Sequence, residues 1–190
     1  MTIDRRKLLL GAGALGLLPR ARAQAAPMLG EDGLYTEPWF LQSFLILPED
    51  LAASGKEGKR FAVMWELRGC PYCRETHLVN FADPRVLDYI KSNFEILQLN
   101  ILGARKVTDF DGQELSEKEL AAKYNVRFTP TFQFFGEDPA QLKASTPQKR
   151  EGARAAGYLK PDDFLSLFRF VREKAYTRES LRDYLKKQQG

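Results

Sequence analysis

Apolar residues fall along this chain in alternating strand-like and helix-like blocks, punctuated by glycine and proline. Pro48 to Gly58 reads as a short helix closed by glycine, and Phe61 to Leu67 as a buried strand. Two helical patterns follow, Cys70 to Phe81 and Pro84 to Asn93, the second with Asp83 as N-cap and Pro84 in its first turn. Phe94 to Ile101 alternates in part and reads as a strand. Gly103 to Gly112 reads as a hairpin or extended excursion turning at Asp111-Gly112. Ser116-Glu-Lys-Glu119 is a capping box, opening a helix that runs to about Tyr124. Thr131 to Phe135 is strongly β-prone. Beyond it, Pro139 to Pro147 reads as a surface loop and Lys149 to Tyr158 as a weak edge strand with a turn. Pro161 to Tyr176 is amphipathic, with Phe164, Leu165, Leu167, Phe168 and Val171 on its apolar face. Thr177 to Lys187 reads as a last, less buried helix. Pro27 to Pro38 is a polar leader, and Trp39 to Leu47 is apolar without a decisive period. The order β-α-β-α-β-β-α predicts an α/β fold with a mixed central sheet flanked by helices on both faces.

The amino terminus follows a different logic. Asp4-Arg5-Arg6-Lys7 precedes the apolar stretch Leu8 to Leu18, then Pro19 and the small-x-small pattern Ala21-Arg22-Ala23, which reads as an export signal over residues 1–23. The apolar stretch is shorter than the roughly 20 residues that a membrane span needs. The paired arginines resemble a twin-arginine signal, although Asp4 and Leu8 stand where Ser or Thr and Phe are usual, so the general secretory route stays open. Cleavage after Ala23 and cleavage after Ala25 both fit. The expected location is the periplasm, with residues 24–190 as one domain of sufficient length for a sizeable core. The signal holds five of the 29 basic residues and one of the 25 acidic ones, leaving 24 of each sign. A formally neutral mature chain gives no support to a nucleic-acid partner.

Cys70 and Cys73 are the only cysteines, and they stand in Cys-Pro-Tyr-Cys where the strand pattern meets a helical one. That spacing marks a dithiol/disulfide redox site. A helix beginning at Cys70 points unpaired N–H groups and the positive end of its dipole at the sulfur, favouring the thiolate. Pro71 at the first helical position sacrifices no hydrogen bond. The expected roles are Cys70 as nucleophile and Cys73, one turn inward and more covered, as resolving thiol, with Tyr72 flanking the sulfur. A zinc site lacks ligands beyond His77, the sole histidine, and a purely structural disulfide closing so small a loop stabilises little. No metal and no cofactor is expected; Phe128, Phe132, Phe134 and Phe135 read as core packing.

Thr129-Pro130-Thr131, directly before a strand, is the second informative motif, because such a proline can be cis and expose its neighbour's backbone. Together with the cysteine pair it resembles the thioredoxin fold, and the resemblance implies that Pro130 is the cis-proline and Thr129 the residue presented to substrate. Gly69 to His77, Leu97 to Ile101, Val107 to Gly112, Phe128 to Thr131 and Gly157 to Pro161, taken in order, are similar to the periplasmic SoxW-type thioredoxins of bacterial sulfur oxidation. The likeness spans about Leu45 to Tyr176. It implies a reductant of protein disulfides or persulfides, fed by a membrane electron donor of the CcdA/DsbD kind; separately, a monomer is expected.

Two departures from the ordinary thioredoxin pattern bear on mechanism. The middle pair is Pro71-Tyr72, as in glutaredoxins, which implies a less reducing potential than that of thioredoxin. Thioredoxins also carry a buried Asp six residues before the first cysteine, where this chain has Met64. Glu66 is the nearest alternative acid, although a solvated strand end is the simpler expectation for it. Arg68 is placed to favour the Cys70 thiolate or to face solvent, and His77 is expected to be exposed. The competing functions are a Dsb-type oxidase or isomerase, which runs the same chemistry in another direction, and a non-catalytic chaperone module binding peptides by strand addition.

Overall fold

The structure, a computed structural model, describes residues 26–188. The export signal predicted over 1–23, and the cleavage positions after Ala23 and Ala25, lie outside the described residues.

The leader forms a small antiparallel hairpin of β1 (Met28–Leu29) and β2 (Tyr35–Thr36). Helix α1 (Leu47–Lys56) has Pro48 at its start, where a missing N–H costs nothing. Gly58, at a φ of 70°, then turns the chain into β3 (Arg60–Glu66). Helix α2 (Pro71–Glu75) runs directly into a π-helical turn, Thr76–Asn80, and α3 (Pro84–Asn93) leads to β4 (Phe94–Asn100). Strands β5 (Lys106–Thr108) and β6 (Glu114–Ser116) make the expected excursion hairpin, and the Ser116 capping box opens α4 (Glu117–Lys123). The chain continues through β7 (Thr131–Phe135), α5 (Pro139–Ala144), α6 (Pro147–Arg150) and β8 (Glu151–Ala156). It ends with α7 (Pro161–Arg172), a 3₁₀ turn at Ala175–Thr177 and α8 (Leu181–Gln188).

The central sheet has the order β4-β3-β7-β8. β3 runs parallel to β4 and antiparallel to β7, and β7 runs antiparallel to β8, so the sheet is mixed. Alternation sends the side chains of each central strand to opposite faces. Ala62, Met64, Phe94, Ile96, Phe132 and Phe134 pack on one face beneath α3 and α7. Phe61, Val63, Trp65, Leu97, Leu99 and Phe135 pack on the other against α1 and α4. Phe168 is fully buried, with T-shaped contacts to Phe94, Phe132, Phe134 and Phe164.

Three expectations change. Within the expected loop Pro139 to Pro147, residues Pro139–Ala144 are helical. The Asp138 side chain accepts from the Ala140 N–H at 2.9 Å, Pro139 occupies the first helical position, and the turn so nucleated buries Leu142. The helix expected to Tyr176 stops at Arg172 because Lys174 adopts the left-handed conformation and breaks it. Phe128 is not a core residue: it is 68% exposed, whereas Phe132, Phe134 and Phe135 are buried. The turn before β7 carries Phe128 outside the alternation that buries the strand itself.

Candidate active site

β3 is the central support of the site. Its last residue, Glu66, is followed by a turn in which Gly69 takes a φ of 75°, and this turn delivers Cys70 to the N-cap of α2. Cys70 Sγ accepts the Cys73 N–H at 3.1 Å, Pro71 is at the first helical position, and the Arg74 N–H closes the first turn on the Cys70 carbonyl. The Cys73 N–H at the helix start thus points at that sulfur, an arrangement that favours negative charge there. Cys70 and Cys73 are joined in a disulfide with Cα atoms 5.3 Å apart. Cys70 is half-buried and Cys73 is buried.

The opposite wall comes from the start of β7. Cys70 Sγ lies 3.5 Å from the Thr129 carbonyl oxygen, and the Thr129–Pro130 peptide is cis. Thr131 fastens this loop by donating its hydroxyl to the Phe128 carbonyl at 2.7 Å. Tyr72, exposed and stacked on Tyr158 with centroids 5.9 Å apart, and Phe128 give the surface around the sulfur two large apolar side chains. Pro71 is exposed beside them and Pro130 is buried beneath.

The other side of the disulfide departs from the sequence reading. Glu66 is not at a solvated strand end and His77 is not exposed; each is 1% exposed. His77 lies in the π-helical turn that extends α2, with Nδ1 2.9 Å from Glu37 Oε1 and Nε2 3.1 Å from Glu66 Oε1. Glu37, 2% exposed, comes from the leader, and Gln98 of β4 donates to the second oxygen of Glu66. A neutral imidazole donates through one nitrogen only, so an imidazolium is the form that satisfies both carboxylates. Burial lowers the His77 pKa, but the hydrogen bonds to Glu37 and Glu66 and their charges outweigh it, and the net shift is upward.

Glu37 was missed in the sequence because it sits in a leader that reads as polar throughout. Its flanks, Tyr35 before it and Pro38-Trp39-Phe40 after it, were the one available signal of an acid entering an apolar setting. Of the two expectations for Arg68, the solvent-facing one holds, since the residue is exposed, but its guanidinium is also engaged. It donates to the Asp32 carbonyl at 2.8 Å and the Glu31 carbonyl at 3.1 Å and lies over Gly33, clamping the β1–β2 hairpin against the site. A cavity of about 510 Å³ lies under this hairpin, walled by Leu34, Tyr35, Glu66, Leu67, Cys70 and Cys73 among others.

A strand–turn–helix that presents a cysteine pair to a cis-proline loop across a mixed four-stranded sheet is the geometry of a thioredoxin-fold protein. The profile of the thioredoxin-like domain matches residues 47–172, and the chain belongs to that family. Among solved structures, a thioredoxin-fold protein from Helicobacter pylori is similar at 23% identity and a TM-score of 0.53, over 70% of this chain and 85% of that one. A thioredoxin from Thermus thermophilus gives 25% identity and a TM-score of 0.49, over 65% and 82% of the two chains. A DsbH oxidoreductase gives 13% identity and a TM-score of 0.42, over 78% and 96%. No curated protein matches the sequence significantly. The protein is a thioredoxin-like oxidoreductase with a close Cys-X-X-Cys pair.

Proposed function

We propose that this is an exported thiol-disulfide oxidoreductase that reduces disulfides or persulfides of periplasmic proteins, with Cys70 as nucleophile and Cys73 as resolving thiol. The observation that carries the reading is the asymmetry of the pair. Cys70 is half-buried, its sulfur capped by the Cys73 N–H and bordered by the Thr129 carbonyl, while Cys73 is buried. In the reducing direction, the Cys70 thiolate attacks one sulfur of the substrate disulfide, and the other sulfur leaves as a thiolate. Cys73 then attacks Cys70, the bond from Cys70 to substrate breaks, and the second substrate thiolate departs as the Cys70–Cys73 bond forms. Two electrons pass to the substrate. Thr129, with Pro71, Tyr72 and Pro130, forms the surface against which an extended substrate segment lies, the Thr129 backbone serving for strand addition.

An oxidising compartment returns the pair to the disulfide, so sustained reduction needs a donor. A membrane protein of the CcdA/DsbD kind fits the SoxW-type resemblance of Gly69 to His77 and Phe128 to Thr131, which also supports sulfur-oxidation proteins as substrates and the twin-arginine-like signal as the route of export. The reduction potential tests the direction of electron flow, by equilibration against a defined dithiol buffer. A value near or below about −220 mV is expected for a reductant, whereas one near −120 mV, where strong oxidants lie, overturns the reading in favour of disulfide donation.

A further inference from the structure

The cavity beneath the leader hairpin reaches the cysteine pair without involving the cis-proline loop. Cys70 and Cys73 both line it, whereas Thr129, Pro130 and Tyr72 do not. Its walls are mainly apolar: Leu29 of β1, the buried Leu34 and the Tyr35 ring come from the hairpin, and Leu67 from the turn after β3. Glu66 is the one acid in the wall, and its two oxygens are taken by His77 and Gln98. Two guanidiniums stand at the rim. Arg74 is exposed on α2, and Arg68 spends its donors on the neutral carbonyls of Glu31 and Asp32, so its charge stays there. The hairpin is held in place by this clamp and by Gln98, which donates to the Tyr35 carbonyl. Leu29, Leu34 and Tyr35 all precede the span 47–172 matched by the thioredoxin-like profile, so this wall is an addition to the shared domain.

We propose that this cavity is a side-chain pocket for the substrate protein. It receives a bulky apolar residue close in sequence to the substrate cysteine, with an acidic residue beyond it that meets Arg68 and Arg74. The proposal rests on the reductant reading above and names the kind of segment that the site selects. Cys70 borders both the Thr129 carbonyl and the cavity. A segment lying along Thr129 with its cysteine at Cys70 therefore continues over the turn at Cys70 and Pro71. At about 3.3 Å per extended residue, a side chain one or two positions from that cysteine reaches the cavity. Its burial among Leu29, Leu34 and Leu67 takes apolar surface of both partners out of water. A volume of about 510 Å³ accommodates a leucine, methionine or phenylalanine side chain with room to spare. Because the hairpin is fixed before binding, little ordering cost is left to meet. The rim charges select against a basic neighbour and favour an acidic one. Leu29, Leu34 and Arg74 are thus specificity-determining residues, and the bond-making steps remain those of Cys70 and Cys73.

The test uses the reduced full chain and short peptides, each joined through its one cysteine to a chromogenic aromatic thiol. Cys70 attack on the peptide sulfur releases the aromatic thiolate with the electron pair of the broken bond, and Cys73 then frees the peptide thiol. Rapid mixing gives the second-order rate constant of the first release. In one series leucine replaces alanine at each position from two before the cysteine to two after it. One placement is expected to raise the rate constant about tenfold. With leucine at that position, Asp beyond it should be favoured over Lys about threefold. Leu29→Asp and Arg74→Glu change exposed side chains, so the fold is kept. Leu29→Asp should cut the leucine preference to below about threefold, and Arg74→Glu should remove the preference for Asp while the leucine preference persists. Equal rates for leucine and alanine peptides at every position overturn the proposal and give the cavity to another occupant. Preferences that survive both substitutions unchanged overturn it as well. A wild type that releases no thiolate from any peptide brings down the oxidoreductase reading itself, a different result from release without preference.

Discussion

Arg150 of α6 places its Nη1 2.8 Å from Asp109 Oδ2, although the two residues lie 41 positions apart and are 2% and 0% exposed. This buried pair ties the end of the α5–α6 segment to the excursion hairpin, with Lys123 and the Tyr124 hydroxyl completing the Asp109 shell. Asp109→Ala leaves the guanidinium with Asp111, the Leu142 carbonyl and the Tyr124 hydroxyl but removes its buried carboxylate, and is expected to cost about 3 kcal/mol in urea unfolding. Asp109→Leu combined with Arg150→Met should be more stable than Asp109→Ala alone, because it removes both charges. A double variant no better than the single one sinks this account.

Asp111, beside the same cluster, sets part of the acid limit. Burial raises its pKa, but Lys123, the Gln113 N–H and Arg150 outweigh this and hold it at about 2. A depressed carboxylate contributes stability that is complete above its unfolded pKa of about 3.9 and is lost as the pH falls toward its folded value. The stability difference between wild type and Asp111→Asn is therefore expected to shrink between about pH 4 and 2, measured by denaturant unfolding at each pH. A difference that stays constant across that interval contradicts it.

His77 has the opposite sign. Its pKa is raised on folding, so its contribution is complete below the unfolded value of about 6.5 and is lost as the pH climbs through the folded value. Unfolding free energy should decline on the alkaline side of about pH 6.5. A rise over the same range would show that the ring is held neutral.

Phe168 supplies the test of the core beneath α7. It is 0% exposed and touches four other phenylalanines, so Phe168→Ala is expected to cost about 3–5 kcal/mol. A loss under about 1 kcal/mol would mean that the aromatic face repacks freely.

Arg68 predicts a local effect instead of a global one. Its two bonds to leader carbonyls are exposed, so Arg68→Ala should lower global stability by only about 1 kcal/mol. Amide exchange at Gly33 and Leu34, whose N–H groups bond within the leader, should quicken. Unchanged exchange there would show that the hairpin holds without the clamp.

The sheet and the disulfide were legible in the sequence because their signals are local. Phe61 to Trp65, Phe94 to Leu99 and Thr131 to Phe135 declare their strands within a few residues, and Cys70-Pro-Tyr-Cys73 sits at the strand–helix junction that it needs. The burial of Glu66 and His77 was not legible. A polar residue is normally solvated, and what reverses that here is Glu37, 40 positions before His77, with Gln98 from a neighbouring strand. The partners of the exposed Arg68 were not legible for the same reason, since they are backbone carbonyls 36 and 37 residues upstream. α5 was missed because its signal is one capping Asp, one Pro and a single buried Leu142 spread over six helical residues.

Glu37 lies ten residues before the start of the family-matched segment, yet its carboxylate is one of the two that His77 meets. A chimera assembled by exchanging residues 47–172 with the same span of a relative would inherit every strand of the central sheet and the cysteine pair, and would leave behind half of the histidine's coordination. Grafts of this protein belong at residue 26 or earlier, where the boundary follows the buried contacts and not the shared ancestry.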